Sequence, residues 1–426
     1  MKKLSVVLLV ILMMTALLAG CSGASSSVPS STAGPGTDSG VSGGTPSAPG
    51  KLTLVLRAGS YTDVLKALAP AFEEENNCTI EILDLDFSDM YQKIALDSQN
   101  AQGAYDVIMV DGSWFTEFLD SGVLADLSAM GYTLDDDFIE GTTKGGLDEA
   151  GNVYCIPFFG NVQLFYYNKE VLAEYGHETP PSDWQSVLEL AQEINADGTY
   201  GFVARAQAGE NIVTDVNPLV LSAGGQILDA KNNVTVNSAE YKQALETYLQ
   251  LIEAGQIMAK DDIVAAVNNG TAAMSLIWPG WYTPGENEPT SFALMPNKMT
   301  PDGEEHDSAW YGLWYLGVTG NSQNKELALK FIQYATSAAS EIETVQYGLT
   351  PIRHSPYQDA SVLEQVPQLS IVYEALQHGV YRPAVTQWTD ITNTLGTELD
   401  NAAQGAKTVE QALVDAQTAC EAVMAR

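Results

Sequence analysis

Beyond residue 50 the chain alternates short apolar segments of strand period with longer stretches of helical period. Residues 51–57 (KLTLVLR) alternate as a strand does, and 64–75 place Leu65, Leu68 and Phe72 on one helical face. Residues 79–85 and 105–110 predict further strands, with helices over 90–98 and 114–119. The style repeats in the second part: strands at 162–167, 272–278 and 314–319, helices at 238–254, 325–335 and 408–424. Pro180-Pro181-Ser182 opens another helix, with Ser182 and Gln185 spaced as a capping box and Trp184, Val187, Leu188, Ala191 and Ile194 as its apolar stripe. Strands alternating with helices predict an α/β fold of two lobes, with mostly parallel sheets flanked by helices.

The start of the chain has a different grammar. Met1-Lys2-Lys3 precedes an almost uninterrupted apolar run over 4–19, a basic then hydrophobic leader. That run is short for a bilayer span, which needs about 20 residues. It ends in Leu18-Ala19-Gly20-Cys21, which resembles the lipobox of bacterial lipoproteins. The resemblance implies cleavage after residue 20, lipid on Cys21, and a mature chain moored to the outer face of the bacterial cytoplasmic membrane. Residues 22–50 hold 9 Ser, 7 Gly and 4 Pro, with Asp38 as their sole charge. Such a composition buries too little surface to offset its ordering entropy, so 21–50 is expected to be a flexible tether. As a coil, its 29 residues after Cys21 span roughly 30 Å.

The formal charge of −35 becomes −37 once Lys2 and Lys3 leave with the leader. Such acidity excludes nucleic acid as a partner, since phosphates require a basic footprint, and disfavours flat docking on an anionic membrane. Apart from Cys21 the cysteines are Cys78, Cys155 and Cys420, which leaves room for one disulfide and an odd thiol. They form no C-x-x-C or Cys/His cluster, so neither metal nor cofactor is expected.

Ligands of open α/β sheets sit beyond the carboxyl ends of strands, and the loops expected there are rich in aromatics. They include Ser60-Tyr61 after the first strand, Asp111 to Trp114 after 105–110, Asn161, Trp278 to Trp281, and Gly312 to Trp314. Arg382 and Trp388 follow near the end. Six of the seven Trp lie in or near such loops; Trp184 alone sits on a clear helical stripe. Flat apolar faces beside a few polar groups suit a sugar, with its C–H faces and hydroxyl rim.

The ordered segments DVIMVDGSWFTEFLDSGVLADL, YCIPFFGNVQLFYYNKEVL, PPSDWQSVLELAQEI, AAMSLIWP, GLWYLGVTGNSQNKELALKFIQYAT, LTPIRHSPYQD and YRPAVTQW resemble extracellular solute-binding protein family 1 of ABC importers, its trehalose/maltose-type branch above all. The resemblance implies a class II periplasmic-binding fold whose lobes close about a hinge. It implies an N-terminal lobe of 51–160 with 311–360 and a C-terminal lobe of 161–310 with 361–426, crossing near Gly160, Trp310 and Ser361. It also implies a monomeric, non-catalytic receptor that passes a carbohydrate to the permease subunits.

By the same resemblance, Asp111 matches an acid that hydrogen-bonds sugar hydroxyls, and Trp114 shares its loop. Trp278 matches an N-W-P-like motif, Arg382 an R-P motif, and Gly312 with Trp314 a G-G-W-like turn in which Leu313 replaces the second Gly. Trp388 falls where maltose-binding relatives stack an aromatic on glucose. Asn161 stands where relatives often carry Asp, and Ile277 where trehalose-type relatives carry Asn, which implies a ligand whose hydroxyl pattern differs from that of trehalose. Ser60, Tyr61 and Trp281 complete the expected ligand-binding set.

Two other classes compete. A glycosidase needs two paired carboxylates, and Asp111 is the sole acid the sequence places in the cleft. The same fold binding a polyamine would need converging acids, for which 73–75 and 135–137 are available; a peptide is a further candidate. Glycerol phosphate would need more cations than Arg57, Arg205, Arg353 and Arg382 are expected to supply.

Overall fold

A computed structural model describes residues 50–285 and 287–426. The leader and Cys21 lie outside the described residues, as does the Ser/Gly/Pro-rich stretch except Gly50, which is already the first residue of a strand. Ten strands form two sheets: β1 (Gly50–Arg57), β2 (Cys78–Leu85), β3 (Val107–Asp111), β4 (Cys155–Phe159), β5 (Leu164–Asn168), β6 (Tyr200–Ala204), β7 (Gly255–Ile257), β8 (Ala272–Ile277), β9 (Thr290–Ala293) and β10 (Trp314–Val318). The first sheet has the order β2-β1-β3-β10-β4 and the second β7-β6-β8-β5-β9. Among the described residues no helix is long and apolar enough to cross a membrane.

The sheets are mixed rather than simply parallel. In the first, β1 pairs in parallel with β2 and β3, whereas β10 is antiparallel to both β3 and β4. In the second, β6 pairs in parallel with β7 and β8, whereas β5 is antiparallel to both β8 and β9. Each sheet thus has four strands running one way and one running back, fourth in the order. The reversed strands, β5 and β10, are those the chain enters directly from a crossing between lobes. They start where the other strands end, so they run the other way.

Local sequence accounts for the layers. All five residues of β3, β4, β5 and β10 are buried, as continuous apolar runs covered by helices on both faces should be. The helix Ser60–Asn76 turns Val64, Leu65, Leu68 and Phe72 onto the first sheet and ends at Asn77 in the left-handed region. The helix Trp184–Ala196 buries Trp184, Val187, Ala191 and Ile194, and the Trp184 indole donates to Ser222 Oγ at 3.0 Å. Its cap is Asp183, whose carboxylate accepts from the Ser186 N–H at 2.9 Å. The expected Ser182/Gln185 box is displaced by one residue, because Asp183 has the extended backbone of a cap and the shorter reach. Cys78, Cys155 and Cys420 are buried and unpaired, so no disulfide joins them.

Three chain segments run side by side between the lobes. Val162 bridges Tyr311, and Trp310 bridges Val380. The Gln163 N–H donates to the Trp310 carbonyl (3.0 Å), Gly312 N–H to Asn161 (2.8 Å), Tyr311 N–H to Val380 (2.9 Å) and Val380 N–H to Ala309 (2.8 Å). The third of these segments is at Val380, and the helix Leu369–Gln377 before it packs on the helix Glu140–Thr143.

Candidate functional site

A cavity of about 650 Å³ opens between the two sheets. It sits at the carboxyl ends of β1, β3, β6 and β8 and at the start of β10, where side chains and helix starts rather than strand ladders face the gap. Of the eleven expected ligand-binding residues, nine line it: Ser60, Tyr61, Asp111, Asn161, Trp278, Trp281, Gly312, Trp314 and Arg382.

The aromatics hold one another in place. Tyr61 packs edge-on against Phe159 (4.6 Å between centroids) and tilts against Trp314 (5.4 Å). The Trp278 ring lies over Gly312, where a Cβ would come within 2.4 Å of Cζ3. That glycine is required because any side chain would evict the indole. Gly280 plays a similar part across the gap, where a Cβ would stand 2.7 Å from the Tyr61 hydroxyl. The lobes therefore touch at Gly280 and Tyr61. Asn161 belongs to the first crossing, and its Oδ1 accepts from the Gly280 N–H at 3.5 Å.

Polar groups form a second network. Arg382 Nη1 reaches Asp111 Oδ1 at 3.3 Å and Glu210 Oε1 at 2.7 Å, so one guanidinium serves a carboxylate from each lobe. Its plane is flanked by Trp278 (5.9 Å) and Trp310 (5.6 Å). Asp111 Oδ1 also accepts from the Ser113 N–H (2.9 Å) and hydroxyl (2.6 Å). Oδ2 takes no hydrogen bond among the described residues and is available to a ligand. Burial pushes the Glu210 carboxyl up from its ordinary range against the pull of Arg382. Deep burial likewise raises the Tyr61 phenol, so it acts as a neutral hydrogen-bonding group.

Trp114 and Trp388 stand apart. Both are buried, Trp114 among Phe87, Tyr91, Phe118 and Trp314, and Trp388 against Trp310 at the head of the helix Trp388–Ala403. They line a separate recess of about 300 Å³ that shares Phe87, Glu210 and Asn211 with the main cavity. Their aromatic character signalled the region; their packing partners come from other elements and are invisible in local sequence.

Three cavity residues outside the expected set are cationic: Arg57, Arg205 and Lys260. With Arg382 they bring four cations to one cavity, more than the sequence led us to expect. Arg205 is held by Asp215 through Nη2 (2.5 Å) and Nε (3.2 Å), and stacks over Trp281 at 4.9 Å. Arg353 lies elsewhere, paired with Asp135 at 2.7 Å and stacked on Phe138. Arg205 and Glu210 fall outside the expected set because no strand is expected from the sequence over 200–204, where β6 lies. A signal existed: V-A-R-A-Q-A-G-E at 203–210 echoes V-L-R-A-G-S at 55–60.

Comparison with known proteins adds the wider context. Residues 58–342 match the family described as bacterial extracellular solute-binding protein. The chain is 27% identical over 252 residues to a probable ABC transporter-binding protein of Deinococcus radiodurans, a match spanning 55% of this chain and 60% of that relative's length. It is 24% identical to a probable amino-acid ABC transporter periplasmic-binding protein of Sinorhizobium fredii (88% of this chain, 90% of the relative). It is 23% identical to the mannitol-binding protein of Pseudomonas aeruginosa (89% and 94%). Among solved structures, maltose-bound MalE3 of T. maritima superposes with a TM-score of 0.75 at 25% identity, covering 87% of this chain and 99% of that one. The two-lobed fold is shared with MalE3, and the chain belongs to the bacterial extracellular solute-binding proteins.

Proposed function

We propose that the protein captures a sugar, a di- or oligosaccharide, between its lobes and delivers it to the permease of an ABC importer. The observation that carries this reading is the meeting of indole and phenol faces (Trp278, Trp281, Trp314, Tyr61) with a hydrogen-bonding rim (Asp111, Asn161, Arg382) in one cavity. Ring faces take the C–H side of a pyranose, and carboxylate, amide and guanidinium take its hydroxyls. The relatives named for mannitol and maltose support the same chemistry. The lobes close about the three crossings, with the Gly280–Tyr61 contact marking the closed arrangement. Lipid on Cys21 holds the receptor, a monomer, at the outer face of the membrane near its permease.

The receptor is not an enzyme in this reading. Asp111 and Glu210 each pair with Arg382 through one oxygen, so a single guanidinium ties both cavity carboxylates into one ion network. One other reading has a specific observation behind it: the Sinorhizobium relative is named for amino-acid transport, and the cavity holds charges of both signs. Calorimetric titration of the purified chain decides between them. Heat from sugars and none from amino acids is expected; the reverse removes the sugar reading. Trp278→Ala is expected to weaken sugar binding by roughly 1–3 kcal/mol, the worth of a buried aromatic contact. Unchanged affinity would make Trp278 mere packing.

A further inference from the structure

We propose that the captured sugar carries an anionic group, a carboxylate or a phosphate, bound at Arg57 and the start of the helix Ser60–Asn76. This rests on the sugar reading above and narrows it.

The argument comes from a repeat of plan between the lobes. β1 and β6 hold the same place, second in their sheets. Each leads into an arginine and an alanine, Arg57-Ala58 and Arg205-Ala206, then a glycine and a helix. Gly59 (φ 116°) and Gly209 (φ 83°) both have backbones that L side chains rarely adopt, and neither helix has a side-chain cap. The first two N–H groups of each helix, at Ser60 and Tyr61 and at Glu210 and Asn211, have no acceptor among the described residues, and all four residues line the cavity.

The second lobe neutralises this arrangement from within. Its helix begins with Glu210, and five residues on Asp215 clasps Arg205 at 2.5 Å. The first lobe does neither. Its helix begins with Ser60, and five residues on stands Leu65, fully buried in the core. Arg57 has no carboxylate within salt-bridge distance among the described residues. Its guanidinium lies over Phe87 at 5.3 Å, and its Nη1 is buried without a hydrogen-bond acceptor, as is the Ser60 Oγ. Asp63, the first-turn acid, is exposed and does not line the cavity. Three of the five arginines of a chain with formal charge −35 line this cavity, and Arg57 is the one left without a protein anion.

The remaining charges orient the ligand. Arg382 is shared by Asp111 and Glu210, so that end of the cavity holds surplus negative charge. Arg57 carries the arginine charge that no carboxylate meets at salt-bridge distance. An oxyanion there accepts from the guanidinium, from Ser60 Oγ and from the first-turn N–H groups, as charge-assisted bonds. The hydroxyl rim and the aromatic faces then take the ring.

The test compares charged sugars with their neutral parents by calorimetry on the purified chain: glucuronate and glucose 6-phosphate against glucose, and galacturonate against galactose. The acidic members are expected to bind about 10- to 100-fold tighter, the range of one charge-assisted hydrogen-bond set. Whichever of carboxylate or phosphate gains more identifies the source of the charge. Arg57→Gln should shrink that preference to near parity, and in the parent protein raising salt from about 10 mM to 1 M should do the same. Equal binding of acid and neutral parent would overturn the anion proposal and leave the sugar reading standing. So would a preference that survives both Arg57→Gln and high salt. Binding of acetate, inorganic phosphate or aspartate as tight as that of the acidic sugars would keep the anion site and remove the sugar reading. The same comparison is made at disaccharide size with lactobionate against lactose, and silence from every probe would remove both.

Discussion

The two lobes share one plan and differ in where they leave charge uncommitted. In the second, Arg205 is clasped by Asp215, itself bonded by the Tyr248 hydroxyl at 3.2 Å, and the helix start carries Glu210. In the first, the corresponding Arg57 and Ser60 have no protein partner for their buried atoms, while that lobe's other arginine, Arg353, is paired far from the cavity. A buried ion pair is a structural commitment: losing one member strands the other without water. An arginine beside an open cavity is a commitment deferred to a ligand. The same local motif thus serves as scaffold in one lobe and as reception in the other.

Breaking the scaffold version should have the largest effect. Asp215→Ala strands Arg205 in a site where the two side chains are only 12% and 4% exposed, so a loss of roughly 3–5 kcal/mol in urea unfolding is expected. Arg57→Gln should cost about 1 kcal/mol or less, the worth of its stacking on Phe87. Similar losses for the two would erase the distinction between the lobes.

The next effect concerns the surface where the lobes share an aromatic. Gly312→Ala introduces a methyl 2.4 Å from Trp278 Cζ3 and 2.9 Å from Cε3. The indole must swing out of the cavity or the crossing must shift. Overpacking of that kind costs about 1–3 kcal/mol, and sugar affinity should fall with it. Combined with Trp278→Ala, the same substitution should cost much less, since the clash is gone. Additive losses would show that Gly312 matters for the crossing alone.

Much of this was legible in the chain. Unbroken apolar runs marked β3, β8 and β10, and the residues just beyond strand ends proved to line the cavity at nine positions. What escaped depends on distant parts of the chain meeting. Whether a loop tryptophan lines a cavity or fills a core is set by neighbours from other elements. Trp314 lines the cavity while Trp114, packed against it at 6.1 Å, does not, although both are buried. Strand direction escaped because it depends on where the chain re-enters a lobe, which no local pattern records. Arg57 and Arg205 look alike in sequence; the difference between them lies five residues into the next helix, as Leu65 or Asp215.

The smallest effect tests the contrast in capping. Two helices of the second lobe that begin away from the cavity are closed by side chains: Asp183 accepts from the Ser186 N–H at 2.9 Å and Ser238 from the Tyr241 N–H at 3.1 Å. Three helices that begin at the cavity, after Gly59, Gly209 and Ala259, have no such cap. If closing a helix start is the default and leaving it open is a feature of the cavity, Asp183→Ala should cost about 1 kcal/mol in urea unfolding. Sugar binding, at a helix start remote from the cavity, should be unchanged. Ser182→Ala, at the position the sequence pattern favoured, should cost no more than about 0.5 kcal/mol. A larger loss at Ser182 than at Asp183 would restore the sequence-based box. Equal, negligible losses would mean that caps contribute little in this protein, and the open starts at Gly59 and Gly209 would lose their significance as a contrast.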